Sequence, residues 1–213
     1  MSSLQEIKIQ SSYTGGNDAM VNAQADKQKN LIVAQGNPSY METRRRAESW
    51  SVFLATASEG LATLPTTLAH LEVHNNGTRL MVVSDLHLYR ILGTAVGVGE
   101  NLWVMITRKA IPTLGALVLY SNSGKAAITP TATSEIVTGI DTTVVADGWM
   151  PYGLGTAYLA AATPGTGSNI PINGKLVVPS GCSLCVTIGA SVNTASAFHC
   201  GVTFDMVDAD MEN

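Results

Sequence analysis

From residue 50 onward, apolar and polar positions alternate in short runs punctuated by glycine, proline and asparagine, which predicts strands rather than helices. The run at 68–74 shows this most plainly. Leu68, His70, Glu72 and His74 face one way, and Ala69, Leu71 and Val73 face the other. Asn75-Asn76-Gly77 follows, and Asn-Gly between two apolar runs predicts a hairpin into a returning strand over 79–86. Further strands are expected at 50–55, 87–92, 102–107, 116–120, 142–145, 157–161, 176–178, 184–188 and 198–204. The last two, joined by a small polar connection, read as a pair. Leu64-Pro65-Thr66-Thr67, Gly97-Val98-Gly99, Asn122-Ser123-Gly124, Thr163-Pro164-Gly165 and Pro179-Ser180-Gly181 supply turn chemistry between them.

Strands at this spacing, with no 15-residue helical pattern after residue 50, predict an all-β chain. About eight to ten strands fit a jelly-roll-like antiparallel sandwich best. Residues 1–39 read differently. They are rich in Gln, Asn, Asp, Lys and Ser, and Thr14-Gly15-Gly16-Asn17 breaks them. A helix over 18–33, capped by Asn17 or Asp18, has Met20, Ala23 and Leu31 on one stripe, but Lys27 interrupts it. An extended arm that orders on a neighbouring subunit is the competing expectation. The organisation expected is an N-terminal arm, 1–44, and a β-sandwich domain, 45–213.

Composition sharpens the picture. Charged residues are 13% of the chain against a typical share of about 25%, so a monomer exposes much neutral surface and burial against partner chains is the simplest account. Residues 1–50 hold six of the twelve basic residues, whereas residues 51–213 hold six basic residues and eleven acids. A mildly acidic body offers no electrostatic footprint for nucleic acid. The local exception is Arg44-Arg45-Arg46, at the junction of arm and body, which is expected to contact a neighbouring subunit through acids such as Glu135, Asp141 and Asp147. The first twenty residues lack the apolar core of a signal peptide, and no apolar run reaches the ~18 residues of a membrane span. Three cysteines do not make a disulfide framework, and a reducing cytoplasm is the expected site of synthesis.

Candidate chemistry is thin. Cys182-Ser183-Leu184-Cys185 enters a strand and lacks the helix N-terminus that would lower a thiol pKa. With His199 and Cys200 it makes a nominal zinc set, but adjacent strand residues point to opposite faces, so buried, unreactive thiols are expected. His70, Glu72 and His74 on one strand face are expected to be outward polar positions rather than a metal site. No nucleophile elbow, zinc-protease motif or phosphate loop occurs. The expectation is a non-enzyme with no cofactor and no metal. Trp149-Met150-Pro151-Tyr152 is the aromatic cluster in an expected loop, making Trp149 and Tyr152 the candidate ligand contacts.

Four features carry a resemblance: the polar arm leading through Thr43-Arg44-Arg45-Arg46 into an aromatic strand; Leu64-Pro65-Thr66-Thr67-Leu68-Ala69 before a strand ending in Asn75-Asn76-Gly77; Asn173-Gly174-Lys175-Leu176-Val177-Val178-Pro179 before Gly181; and the Ser/Thr/Ala-rich hairpin at 191–197 leading into the terminal strand. Together they touch most of residues 40–205 and resemble tailed-bacteriophage virion proteins of the small jelly-roll type. The resemblance implies a structural protein of the particle, located in the virion. It would be a homo-oligomer, trimer first, attached to other virion proteins of capsid, neck or tail. It carries over no catalytic residues. The absence of a collagen-like or coiled-coil repeat favours a compact decoration or head-tail accessory protein over a fibre shaft. The alternative is a host-recognition or carbohydrate-binding module on the same particle.

Overall fold

The computed structural model describes residues 8–10, 20–22, 47–54, 58–61, 63–92, 99–108, 117–144, 148–157, 166–190 and 197–208. The chain divides into two compact units, Tyr40–Asp210 and Met1–Ser39 with Met211–Asn213. In the smaller unit β1 (Lys8–Gln10) pairs antiparallel with β2 (Met20–Asn22), Ile9 opposite Val21. Met20-Val21-Asn22 is therefore a strand where a helix over 18–33 was one expectation. The lone Met20–Ala23–Leu31 stripe is too weak a helical signal to outweigh a paired strand.

The larger unit is all-β among its described residues. Its strands are β3 (Ser49–Phe53), β4 (Ser58–Glu59), β5 (Ala69–Asn75), β6 (Leu80–Leu92), β7 (Gly99–Thr107), β8 (Leu119–Ser121), β9 (Ile136–Asp141), β10 (Met150–Ala157), β11 (Thr166–Val178), β12 (Cys182–Ala190) and β13 (Ala197–Val207). They form a first sheet, β11-β6-β13-β3-β8, and a second, β10-β7-β12-β5-β9, with β4 on β13. Set aside β4, β8 and β9, and the remaining eight strands pair first with last, second with seventh, third with sixth and fourth with fifth. Those pairs are β3 with β13, β5 with β12, β6 with β11 and β7 with β10. Two more pairings, β13 with β6 and β12 with β7, roll that long hairpin into two sheets. This is a jelly roll.

Alternation builds the core between the sheets. Cys182, Leu184, Val186, Ile188 and Ala190 of β12 meet Phe198, Cys200, Val202, Phe204 and Met206 of β13, with Trp50, Leu71, Val73, Leu86 and Leu102 around them. β5 and β12 are buried along their whole length, so the second sheet is covered on its outer face too. There Ala69, Met105, Val144 and Cys185 form a small second core with Trp149 against it. Val144 N–H donates to Thr67 O at 3.0 Å, and the Trp149 indole donates to Thr66 O at 3.2 Å.

Several expectations change. Asn75-Asn76-Gly77 is not a hairpin turn, because β5 and β6 lie in different sheets and the chain turns a corner between layers. Asn75 Nδ2 donates to Arg79 O and Val178 O, and Asn76 N–H donates to Glu135 O. A tight turn with both residues left-handed occurs instead at Asn173-Gly174 (φ 52° and 77°), within the register shift of β11. β12 and β13 likewise belong to opposite sheets, so the expected pair is an inter-sheet crossover. Residues 79–92, expected as two strands, contain one, β6. Ser84 is the extra residue of its bulge, with Oγ donating to Thr203 O and Asp205 Oδ2. Residues 142–144, expected within a strand at 142–145, are not in one, and the nearby strand β9 ends at Asp141, whose Oδ1 accepts from Thr143 N–H and Oγ1–H. The strand expected at 157–161 lies mostly outside the described residues, as do Gly97-Val98 and Thr163-Pro164-Gly165.

Candidate functional site

Arg44, Arg45, Arg46 and Asp147 lie outside the described residues. Of the other acids named as their partners, Glu135 is paired within the chain to Arg79, and Asp141 caps Thr143. Trp149 packs on the second core, and Tyr152 packs against the main one. The segment expected as a loop is the start of β10, an edge strand, where Pro151 costs no ladder bond.

His70, Glu72 and His74 are buried, not solvent-facing, because the second sheet carries an outer layer. A register shift between Ala69 and Glu72 also breaks the simple alternation. It leaves Ala69 in the outer cluster, and His70 Nδ1 accepts from Ile188 N–H at 3.2 Å. His74 Nδ1 meets Ser183 Oγ at 2.8 Å. Among the described residues no group of three His, Cys, Asp or Glu is placed to hold a metal. The three cysteines form no disulfide and are buried, with Cys182 facing the main core and Cys185 the outer one. Burial pushes the Cys200 thiol up to about 12, as expected for an unreactive cysteine. The folded protein should give no fast reaction with an aromatic disulfide reagent at pH 8 and three equivalents after denaturation. A native thiol reacting within seconds would contradict this burial.

The outer face of the first sheet is the one with open chemistry. A hydrogen-bond chain crosses it. Asn122 Nδ2 donates to Ser49 Oγ, and Ser51 Oγ donates to Asn122 Oδ1, both at 2.9 Å. Ser51 has then spent its proton, so Thr203 Oγ1 donates to Ser51 at 2.9 Å, and His87 Nε2–H donates to Thr203 at 2.8 Å. Asn169 stands opposite His87 in the pairing register and reaches Asp85 Oδ1 at 3.5 Å. Burial lowers the His87 pKa, partly offset by Asp85 and Asn169, and burial lowers that of His74 as well. Both imidazoles take up a proton less readily in the fold than in the unfolded chain, which protonates near pH 6.5. Stability should therefore fall as pH drops from 7.5 through 6.5 to 5.5, read as a decreasing guanidinium midpoint. The His74→Gln/His87→Gln double variant should show a flatter profile over that window. An equal slope in both proteins would refute the assignment.

Around this chain stand exposed apolar side chains, Phe53 at 38%, Tyr89 at 39%, Ile91 at 43% and Tyr120 at 53%. The rings sit over glycines. A Cβ on Gly167 would lie 2.1 Å from Tyr89 Cδ1, and one on Gly201 would lie 2.3 Å from Phe53 Cδ1. Phe53 and His87 stack at 5.5 Å between ring centroids, tilted by 37°. Sequence reading missed this face. The available signal was β6 itself, where Leu86 and Leu88 alternate with His87, Tyr89 and Ile91, leaving apolar groups on both sides.

At the open side of the sandwich a cavity of about 290 Å³ is lined by Trp50, Arg79, Lys125, Ile128, Glu135 and Met206 among others. Lys125 Nζ stands 5.4 Å from the Trp50 ring centroid. Arg79 is committed to two carboxylates, so the cavity wall is an internal ion-pair network.

No protein-family model and no curated protein matches the chain. Among solved structures, the chain is similar to one in the cryoEM structure of Mud Crab Dicistrovirus. The alignment covers 97% of this chain and 88% of that one, at 10% identity and a TM-score of 0.24. A likeness that slight carries no weight, and the jelly-roll assignment stands on this chain's own strand pairing. Among the described residues no helix is long and apolar enough to cross a membrane.

Proposed function

We propose that this chain is a structural component of a virus particle, a bacteriophage decoration or head-tail accessory protein. It would act as a homo-oligomer held by protein–protein contacts rather than as an enzyme. The observation that carries the reading is a set of exposed apolar side chains on the two edge strands of the second sheet, β9 and β10, and on the turn before β5. Leu64 is 69% exposed, Met150 61% and Ile140 48%. Leu64 is two residues before Thr66, whose carbonyl holds the Trp149 indole, and Met150 follows Trp149. Ile140 lies on β9, the opposite edge strand of that sheet from Met150. Large apolar groups exposed at the sheet edges of a chain with 13% charged residues suit burial by a protein partner. The jelly roll supports the reading as a rigid carrier, and the tailed-phage resemblance of the arm and the Asn173–Pro179 segment points the same way.

Light scattering of the purified chain tests it. A trimer is expected at micromolar concentration, and Leu64→Asp with Met150→Asp should shift it toward monomer without changing the far-ultraviolet circular dichroism. A wild-type monomer at that concentration, with the same stability as the double variant, would overturn the proposal.

A further inference from the structure

The outer face of the first sheet combines flat rings with a neutral hydrogen-bonding surface, on the opposite sheet from the apolar groups used above. Its pairing register places Tyr120 opposite Ser51, Thr203 and Asp85 in one row. The next row carries Phe53, Gly201, His87 and Asn169, and the row after it carries His199, Tyr89 and Gly167. The Phe53 ring lies over Gly201, one strand across, and the Tyr89 ring lies over Gly167, one strand further along the sheet. From Tyr120 to Phe53 to Tyr89 the rings thus advance one row for every two strands. With strands about 4.8 Å apart and alternate residues about 6.8 Å apart, successive rings are roughly 12 Å apart on a diagonal.

Rings pressed onto glycines offer their outer faces to solvent instead of interlocking as core side chains do. A flat apolar face is what the C–H side of a pyranose stacks upon, while its hydroxyls need amide, carboxylate and imidazole partners. Asp85, His87, Asn122 and Asn169 supply those beside the rings. Charge selects the class of ligand. On this sheet the exposed cation among the described residues is Lys175, in the β11 register shift beyond the Pro171–Asp85 pair and off the rows of Phe53 and Tyr89, since Arg90 of β6 is buried, and the acidic groups of the face are Asp85 and the buried Asp205. A nucleic acid or an acidic glycan would find one cation at the margin of the face and the Asp85 carboxylate within it, too little positive charge to hold a polyanion. A ring step of roughly 12 Å exceeds one sugar unit, so a chain of several units fits better than a monosaccharide.

We propose that Tyr120, Phe53 and Tyr89 form a binding track for a neutral oligosaccharide, with Asp85 and Asn169 bonding its hydroxyls. This does not rest on the assembly proposed above, because it uses the other sheet. The probes are linear neutral hexasaccharides of glucose, galactose, mannose and N-acetylglucosamine, with the matching disaccharides and a sialylated glycan, titrated calorimetrically into the full chain. At least one hexasaccharide should bind and do so more tightly than its disaccharide. Phe53→Ala and Tyr89→Ala should each weaken it by about ten-fold, and Tyr89→Phe should retain it. Trp149→Ala, on the other sheet, should leave it unchanged. Because Phe53 and Tyr89 are partly exposed, their variants should stay folded and melt within a few degrees of the wild type, and Tyr120→Ala on the edge strand repeats the test where packing is lightest. Failure of every neutral hexasaccharide to bind, affinity indifferent to the ring substitutions, or preference for the sialylated glycan would each overturn the proposal. So would protection of a Tyr89→Cys thiol in the assembled protein, which would assign this face to a second copy of the chain.

Discussion

Truncating Phe204 to alanine should cost about 3–5 kcal/mol of folding stability, the largest loss expected from a single side chain here. Phe204 is fully buried on β13, the central strand of the first sheet, opposite Trp50 on one side and Val83 on the other. Removing its ring leaves a cavity walled by β-sheet, and sheets held by ladders on both sides collapse poorly into such a void. A domain of this size has only about 5–15 kcal/mol to lose, so the variant should unfold at a markedly lower guanidinium midpoint. Phe53→Ala removes the same ring from the outer face of the same sheet, where it is 38% exposed, and should cost less than about 1.5 kcal/mol. Equal losses from the two substitutions would show that the inner and outer faces are wrongly assigned.

Arg79→Ala should cost about 1–3 kcal/mol, more than an exposed ion pair usually contributes. The guanidinium donates twice to Glu135, from Nε at 2.7 Å and Nη2 at 2.6 Å, and from Nη1 to Glu48 at 3.1 Å. It therefore ties together the chain just before β3, the corner between β5 and β6, and the start of β9. Glu135 is also held through its backbone, by Asn76 N–H at 2.8 Å, and its side chain passes where a Cβ on Gly77 would sit. These side chains are about a quarter to a third exposed, and solvent screening sets the upper end of the range. Arg79→Lys should recover only part of the loss, since an ammonium cannot match the two-pronged geometry. A double-mutant cycle with Glu135→Ala would measure the coupling, and a value near zero would show that the pair contributes nothing.

What could be read from the residues was local. The inward apolar positions of β5, β12 and β13 follow from alternation, and so did the all-β class. What escaped was decided by partners far along the chain. Asn75-Asn76-Gly77 has the residues of a hairpin turn, yet it turns a corner because β5 finds its ladders in β9 and β12. Gly77 is needed there for the close passage of Glu135, a demand that leaves no mark in a short window. β9 was overlooked because Gly139 and Thr138 dilute its apolar signal, and β11 because Pro171 and the Asn173-Gly174 turn interrupt it. The histidines of β5 read as solvent-facing since nothing near them in sequence announces the layer containing Val144 and Trp149. The ring track was invisible for the same reason. Tyr89, Phe53 and their glycine seats Gly167 and Gly201 come from four strands and meet only through register.

The nesting of first strand with last has a consequence for a chain made from one end. When the ribosome has delivered β3, β5, β6 and β7, none of them yet has its partner in the rolled hairpin, because β10, β11, β12 and β13 are all still to come. The closing contact, Ser51 against Thr203, spans 152 residues. Contacts at such separation must be found before they reward the entropy spent in finding them, which makes folding slow and late. Until β13 arrives, β3 and β6 hold open the gap that it fills, their backbone donors and acceptors free to take any strand within reach. Losing β13 would remove the middle of a sheet, so the body should behave as a unit that is complete or absent.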